Sequence, residues 1–94
     1  MKLTFEWHDE KAKKNLKKHK ISFEEAKTVF NDPFLMTFPD PHHSENEQRY
    51  LNMGVSSKGK ILIVIHTERE RNIRIISCRK ATPNERKIYE KRNF

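Results

Sequence analysis

The sequence predicts an α+β fold: an antiparallel sheet with two N-terminal helices on one face and a C-terminal helix, in the order β-α-α-β-β-β-β-α. Three observations predict it. Lys60 to Lys80, KILIVIHTERERNIRIISCRK, places five consecutive large aliphatics, Ile61 to Ile65, before a short charged loop, and Ile73, Ile75 and Ile76 answer them after it. Such a density of β-branched residues marks a strand pair in mid-sheet. Two capped helical segments run in tandem ahead of that pair, and short turns join the later strands, so helices and strands are segregated rather than alternating.

Taken in order, Lys2 to Trp7 alternates Leu3 and Phe5 with Thr4 and Glu6 and reads as a short first strand. His8-Asp9 ends it, and Asp9 is a suitable N-cap for a lysine-rich helix running to about His19. Ala12, Leu16 and His19 form its thin apolar stripe, with His19 read as a packed or half-exposed side chain. Ser22 and Glu25 have the capping-box spacing for a second helix, Ile21 can staple against Ala26, and Phe23, Ala26, Val29 and Phe30 face the core. Asp32-Pro33 ends that helix, because the residue before a proline is pushed out of the helical region.

Phe34 to Phe38 reads as a strand, and Pro39-Asp40-Pro41 forces an irregular connection after it. Gln48 to Ser56 alternates Tyr50, Asn52 and Gly54 with Leu51, Met53 and Val55, as a half-buried antiparallel strand does. Ser57-Lys58-Gly59 is a tight turn that uses glycine for a positive φ. After the central pair, Thr82-Pro83-Asn84-Glu85 combines an N-cap, a proline at the first helical position and a glutamate three residues after the cap. The last helix so begun has little to bury beyond Ile88, Tyr89 and Phe94. The sheet face away from the first two helices is expected to carry the polar residues that interrupt the strands.

Composition bounds the reading. With 94 residues there is room for one domain, spanning 1–94, and one modest core. Hydrophobic residues make up 34% and charged residues 35%, yet the six Phe and the clustered Ile argue for a folded unit with a very polar surface. A single Cys78 cannot form an internal disulfide, which fits a reducing cytoplasm. The start, MKLTFEWHDE, meets acid before any apolar run, and no stretch is long and apolar enough for a membrane span. Net charge is +7, with basic residues concentrated toward both ends of the fold and an acidic middle. That surplus favours polyanionic partners, since each phosphate neutralised releases a counterion.

No Gly-rich phosphate loop, nucleophile elbow or zinc pair is present. The loop His42-His43-Ser44-Glu45-Asn46-Glu47 is dense in donors, but adjacent histidines in an extended loop point apart and no HxxxH spacing supports a metal, so no cofactor is expected. What remains suits phosphodiester chemistry. RNA cleavage by the ribose 2′-hydroxyl needs a base for that hydroxyl, positive charge at the phosphorane and an acid for the departing 5′-oxygen. His66 and Glu68 lie two apart on one strand and share a face, as Ser77 and Arg79 do on the next. If Glu68 pairs with Ile73, all four lie on one side of the sheet, and a shift of one residue would separate them. RNA binding without cleavage, or ordinary solvated strand ends, would use the same residues.

Several separated motifs carry a resemblance: FEWHDEKAKKNLKKHKISFEEAKTVFNDP at the start, then DPHHSENEQRYLNMGVSSKGKILIVIHTERERNIRIISCRKATPNERKIYE. Together they resemble the BrnT family of toxins from bacterial type II toxin-antitoxin modules, with His8 as an extra residue where the family runs directly from Trp to Asp. The resemblance implies a RelE-like fold and a metal-independent endoribonuclease that arrests translation. It also implies neutralisation by a BrnA-type antitoxin, in a heterotetramer built on an antitoxin dimer that binds operator DNA. Among the matching positions, His66, Glu68, Arg69, Arg79 and His43 are the candidate catalytic residues, and Glu47, Arg49 and Lys80 the candidate RNA contacts. Lys58, Lys60, Arg74 and the lysine-rich first helix would hold the RNA backbone, and bases would stack on Tyr89 or Tyr50. A non-catalytic RNA-binding or operon-regulating partner of the antitoxin is the alternative.

Overall fold

The computed structural model describes residues 3–40 and 47–93. Its elements are β1 (Thr4–Glu6), α1 (Asp9–His19), α2 (Phe23–Ala26), a 3-10 turn (Lys27–Asn31), β2 (Met36–Pro39), β3 (Arg49–Val55), β4 (Ile61–Arg69), β5 (Asn72–Lys80) and α3 (Pro83–Asn93). The five strands form one sheet in the order β1-β5-β4-β3-β2. β2 to β5 run antiparallel to their neighbours, but β1 pairs parallel to β5, Thr4 opposite Asn72 and Glu6 opposite Arg74. The sheet is therefore mixed rather than wholly antiparallel. The reason is the crossover: α1 and α2 carry the chain across one face from the β1 edge to the β2 edge, and only such a connection allows a parallel pair.

The core divides by face. Ile21, Phe23, Ala26 and Val29 from the helical layer meet Leu62, Val64, Ile73, Ile75 and Cys78. On the other face Met36, Met53 and Ile63 enclose Tyr89 of α3, with Leu51, Ile61 and Ile65 beside them. That face was expected to hold the polar interruptions of the strands. Instead Asn52 and His66 lie buried on the helix-covered face, because their alternation with Leu51 and Ile65 leaves the apolar residues for α3 to cover.

Caps follow local chemistry, with two departures. α1 is preceded by His8 in extended conformation rather than capped by Asp9, which instead opens its acidic first turn. Ser22 Oγ accepts from the Glu25 N–H at 3.0 Å, but the Glu25 carboxylate does not close the box. It turns inward to accept from Ser56 Oγ at 2.8 Å and to meet Lys60 Nζ at 3.7 Å, tying α2 to the β3–β4 turn. That turn contains Gly59 at φ 78°. Leu16 is 48% exposed, so the apolar stripe of α1 is even thinner than its pattern suggests.

Two side chains finish the sheet where its edge strands stop. β2 ends its pairing at Met53, and beyond it the Val55 N–H donates to Asp32 Oδ2 at 2.8 Å. β1 covers β5 only as far as Arg74, and beyond it the Cys78 N–H donates to Asn15 Oδ1 at 3.0 Å. A buried N–H left unpaired at either position would be costly. No helix among the described residues is long and apolar enough to cross a membrane.

Candidate functional site

Strand register decides which polar residues meet. Glu68 pairs with Ile73 and His66 with Ile75, yet Ile65 pairs with Ser77, so Ile76 is the extra residue of a β-bulge between them. Because side chains alternate along a strand, one inserted residue exchanges the faces of everything beyond it. His66 and Glu68 therefore project from the helix-covered face, while Ser77 and Arg79 share the opposite face with Ile63 and Ile65. The four residues do not form one constellation.

On the face of Ser77 and Arg79 lies a groove of about 500 Å³. Its floor is apolar, made by Leu51, Ile63 and Ile65, and its rim is polar. Arg49 of β3 and Arg79 of β5 both border it, with Ser77, Asp40, and Lys18 and His19 from the end of α1. An apolar floor ringed by guanidinium, ammonium and imidazole groups can hold a phosphate while excluding bulk water, which strengthens each charge interaction.

Arg79 is set by a fork. Its Nη1 donates to Glu85 Oε1 at 2.7 Å and its Nη2 to Glu85 Oε2 at 3.0 Å, while Nη1 also donates to the Lys80 carbonyl at 3.2 Å. Glu85 is at the same time the capping-box residue of α3: its carboxylate accepts from the Thr82 N–H at 2.8 Å, and its own N–H donates to Thr82 Oγ1 at 3.2 Å. Arg79 hydrogen bonding holds the Glu85 carboxyl down at about 2, and the same bond raises the Arg79 pKa. With the end of the guanidinium taken, its Nε–Nη2 edge still carries donors for an incoming phosphate.

His66, on the other face, is 4% exposed. It stacks on Tyr50 at a centroid distance of 5.1 Å and meets the Phe30 ring edge-on at 5.4 Å. Asn52 fixes its tautomer. The Asn52 Oδ1 accepts from Thr37 Oγ1, and its amide nitrogen donates to the Val64 carbonyl and, at 2.6 Å, to His66 Nδ1. Nδ1 is then an acceptor, and the neutral ring carries its proton on Nε2, 3.7 Å from Glu68. Burial lowers the His66 pKa, and Glu68 opposes that shift in part. Such a ring is mostly neutral at neutral pH.

A family model for the ribonuclease toxin BrnT of type II toxin-antitoxin systems matches residues 7–85. The chain belongs to the BrnT family. No curated protein matches it by sequence. In fold it is similar to the crystal structure of the Brucella abortus ribonuclease toxin, BrnT, with a TM-score of 0.67 at 20% identity, covering 86% of this chain and 99% of the other.

The remaining residues expected to serve this BrnT-family chain are dispersed. Arg69 is exposed at the end of β4, and Arg74 projects from the groove face near β1, 3.7 Å from Glu6. Glu47 lies 3.6 Å from Arg49 at the groove rim. Lys60 and Lys80 line a separate depression of about 260 Å³ with Arg86, and Lys58 is exposed on the adjoining turn. Tyr89 offers no stacking surface: it is 3% exposed, and its hydroxyl donates to Asp32 Oδ2 at 2.5 Å. Tyr50 is half-buried against His66. His43, with His42, lies outside the described residues.

Sequence reasoning missed His19, Asp40 and Glu85 as members of the site, and reached Lys18 only as part of the lysine-rich first helix expected to hold the RNA backbone. Only Glu85 left a signal, its capping spacing, which says nothing of Arg79. Among the described residues no group of three or more His, Cys, Asp or Glu side chains is arranged to hold a metal ion.

Proposed function

We propose that this chain is a metal-independent endoribonuclease of RelE-like type that cleaves RNA in the groove bordered by Arg49 and Arg79 and thereby inhibits translation. The single observation that supports it is the convergence of these two guanidiniums, from non-adjacent strands, on one apolar-floored groove beside Ser77. Attack of a ribose 2′-hydroxyl on its own phosphate gathers negative charge on the phosphorane oxygens, and preplaced guanidiniums bind that charge better than they bind the ground state. Arg79 presents its free edge from a position fixed by Glu85. Arg49 meets the phosphate from the other side of the groove.

Lys18 extends the cationic rim, and Arg74 lies farther along the same face, so an RNA strand crossing it would lay successive phosphates on basic residues. Lys58, Lys60 and Lys80 form a second basic area at the hairpin end for the flanking backbone. A BrnA-type antitoxin would neutralise the enzyme, in a heterotetramer built on an antitoxin dimer that also binds operator DNA.

The test is to incubate antitoxin-free protein with total RNA in EDTA, and separately with a translating extract. The reading expects RNA fragments ending in 2′,3′-cyclic phosphate and 5′-hydroxyl, with arrest of translation. Intact RNA in both would overturn it.

A further inference from the structure

We propose that His19 is the general acid of the groove, donating a proton to the 5′-oxygen as it leaves. The proposal rests on the ribonuclease reading and supplies a group that reading lacks. Stabilising a phosphorane does not by itself expel an alkoxide, which needs a proton as the bond to phosphorus breaks. His66 is sealed on the opposite face, and His8 is exposed at the start of α1. Among the described residues His19 is the histidine that borders the groove, on the same rim as Arg79 and Ser77.

Its placement is built. α1 stops at His19 because Lys20 turns into the left-handed region at φ 63°, returning its N–H to the Leu16 carbonyl at 2.9 Å. A side chain with a Cβ resists that conformation, so something must hold the turn. Asn15 does. It is buried, its amide nitrogen donates to the Ile21 carbonyl at 3.1 Å, and its Oδ1 accepts from the Cys78 N–H at 3.0 Å. Cys78 immediately precedes Arg79. One buried amide therefore clamps the chain just after His19 to the strand position beside Arg79, holding the backbones that carry the imidazole and the guanidinium in one frame.

The charged groups lining the groove are Lys18 on α1, Arg79 on β5, Arg49 on β3 and Asp40 after β2, while β4 contributes only Ile63 and Ile65. The Cys78 thiol, pushed up to about 11 chiefly by burial, stays protonated and takes no part. In the step itself the 2′-oxygen bonds to phosphorus as its proton passes to water, and the bond from phosphorus to the 5′-oxygen breaks. The His19 imidazolium gives its proton to that oxygen, and the neutral ring is reprotonated from solvent. The products are a 2′,3′-cyclic phosphate and a 5′-hydroxyl.

The experiment measures cleavage rate against pH for the wild type, His19→Gln and Arg79→Ala. Each is assayed on one RNA with a normal linkage and on the same RNA with a 5′-bridging sulfur, whose thiolate leaves without a proton. Expected for His19→Gln at saturating RNA is a loss of about 10²- to 10⁴-fold on the oxygen substrate and recovery toward the wild-type rate on the sulfur substrate. Arg79→Ala should not recover. In the wild type, the decline in rate at high pH should vanish with the sulfur substrate, a readout that needs no variant to fold. Cleavage by His19→Gln at the wild-type rate, or a high-pH decline that persists with sulfur, overturns the assignment of His19 alone. A wild type that cleaves neither free RNA nor RNA on translating ribosomes overturns the ribonuclease reading and this proposal together.

Discussion

Arg79 and Glu85 meet end to end, Nη1 2.7 Å from Oε1 and Nη2 3.0 Å from Oε2, so the residue that caps α3 is also the one that orients the groove's guanidinium. A helix with few apolar anchors, and with Ile88 52% exposed, is thereby tied to the sheet at its first turn. Glu85→Gln removes the charge from both bonds. Gln can still serve the capping box, so we expect a loss of stability at neutral pH of about 0.5–1 kcal/mol, the worth of a partly exposed ion pair of good geometry.

Acid should erase that difference. Folding lowers the Glu85 pKa to about 2, so the folded state binds fewer protons than the unfolded one. Its contribution is complete above the usual carboxylate range and is lost as pH falls toward about 2. Denaturant titrations of wild type and Glu85→Gln should diverge at pH 7 and converge near that value; parallel curves would contradict the bond's role.

His66 works in the same direction nearer to neutrality. Its folded pKa is lowered mainly by burial, so its contribution is full above the unfolded value of about 6.5 and declines as pH falls through that value toward the folded one. The wild type should lose stability between about pH 7 and 5, and His66→Gln, though less stable at pH 7, should show a shallower loss. An equally steep decline in the variant would place the titrating group elsewhere.

Asp32 predicts a third outcome. Burial alone would raise its pKa, but hydrogen bonds from Tyr89, Val55 and Phe34 outweigh that and lower it, so the carboxylate stays charged at the end of β2. A Cβ added at Gly54 would stand 2.9 Å from Leu35 Cδ1 and 3.3 Å from Asp32 Oδ2. Leu35 can turn aside, but the pinned carboxylate cannot. Gly54→Ala should cost about 1–3 kcal/mol, and Tyr89→Phe about 1.5–3 kcal/mol for a bond to a charged acceptor, both measured by urea unfolding.

The elements were legible because each has a local cause: β-branched runs at Ile61 and Ile73, the Thr82 cap, Gly59 in its turn. The pairing of Glu68 with Ile73 was only one of the registers open to the sequence, and it is the one the structure adopts. The bulge at Ile76 was not legible. Nothing in IRIISCRK marks which isoleucine goes unpaired, because all three suit a strand and the choice is made by packing on both faces. That one residue separates Ser77 and Arg79 from His66 and Glu68. Tyr89 misled for a related reason: an aromatic on a polar helix resembles a stacking platform until its hydroxyl finds a buried carboxylate. His19 was hidden because a contact between the end of α1 and β5 spans most of the chain and leaves no local pattern.

The most direct measurement compares the two faces in one assay: the rate of RNA cleavage by Arg79→Ala, Arg49→Ala and Glu68→Gln beside the wild type, each checked for folding by circular dichroism. The expected result is a loss of about 10²-fold or more for each arginine variant, with Glu68→Gln within about threefold of the wild type. Cleavage retained by both arginine variants and lost in Glu68→Gln would move the chemistry to the helix-covered face and contradict the assignment of the groove.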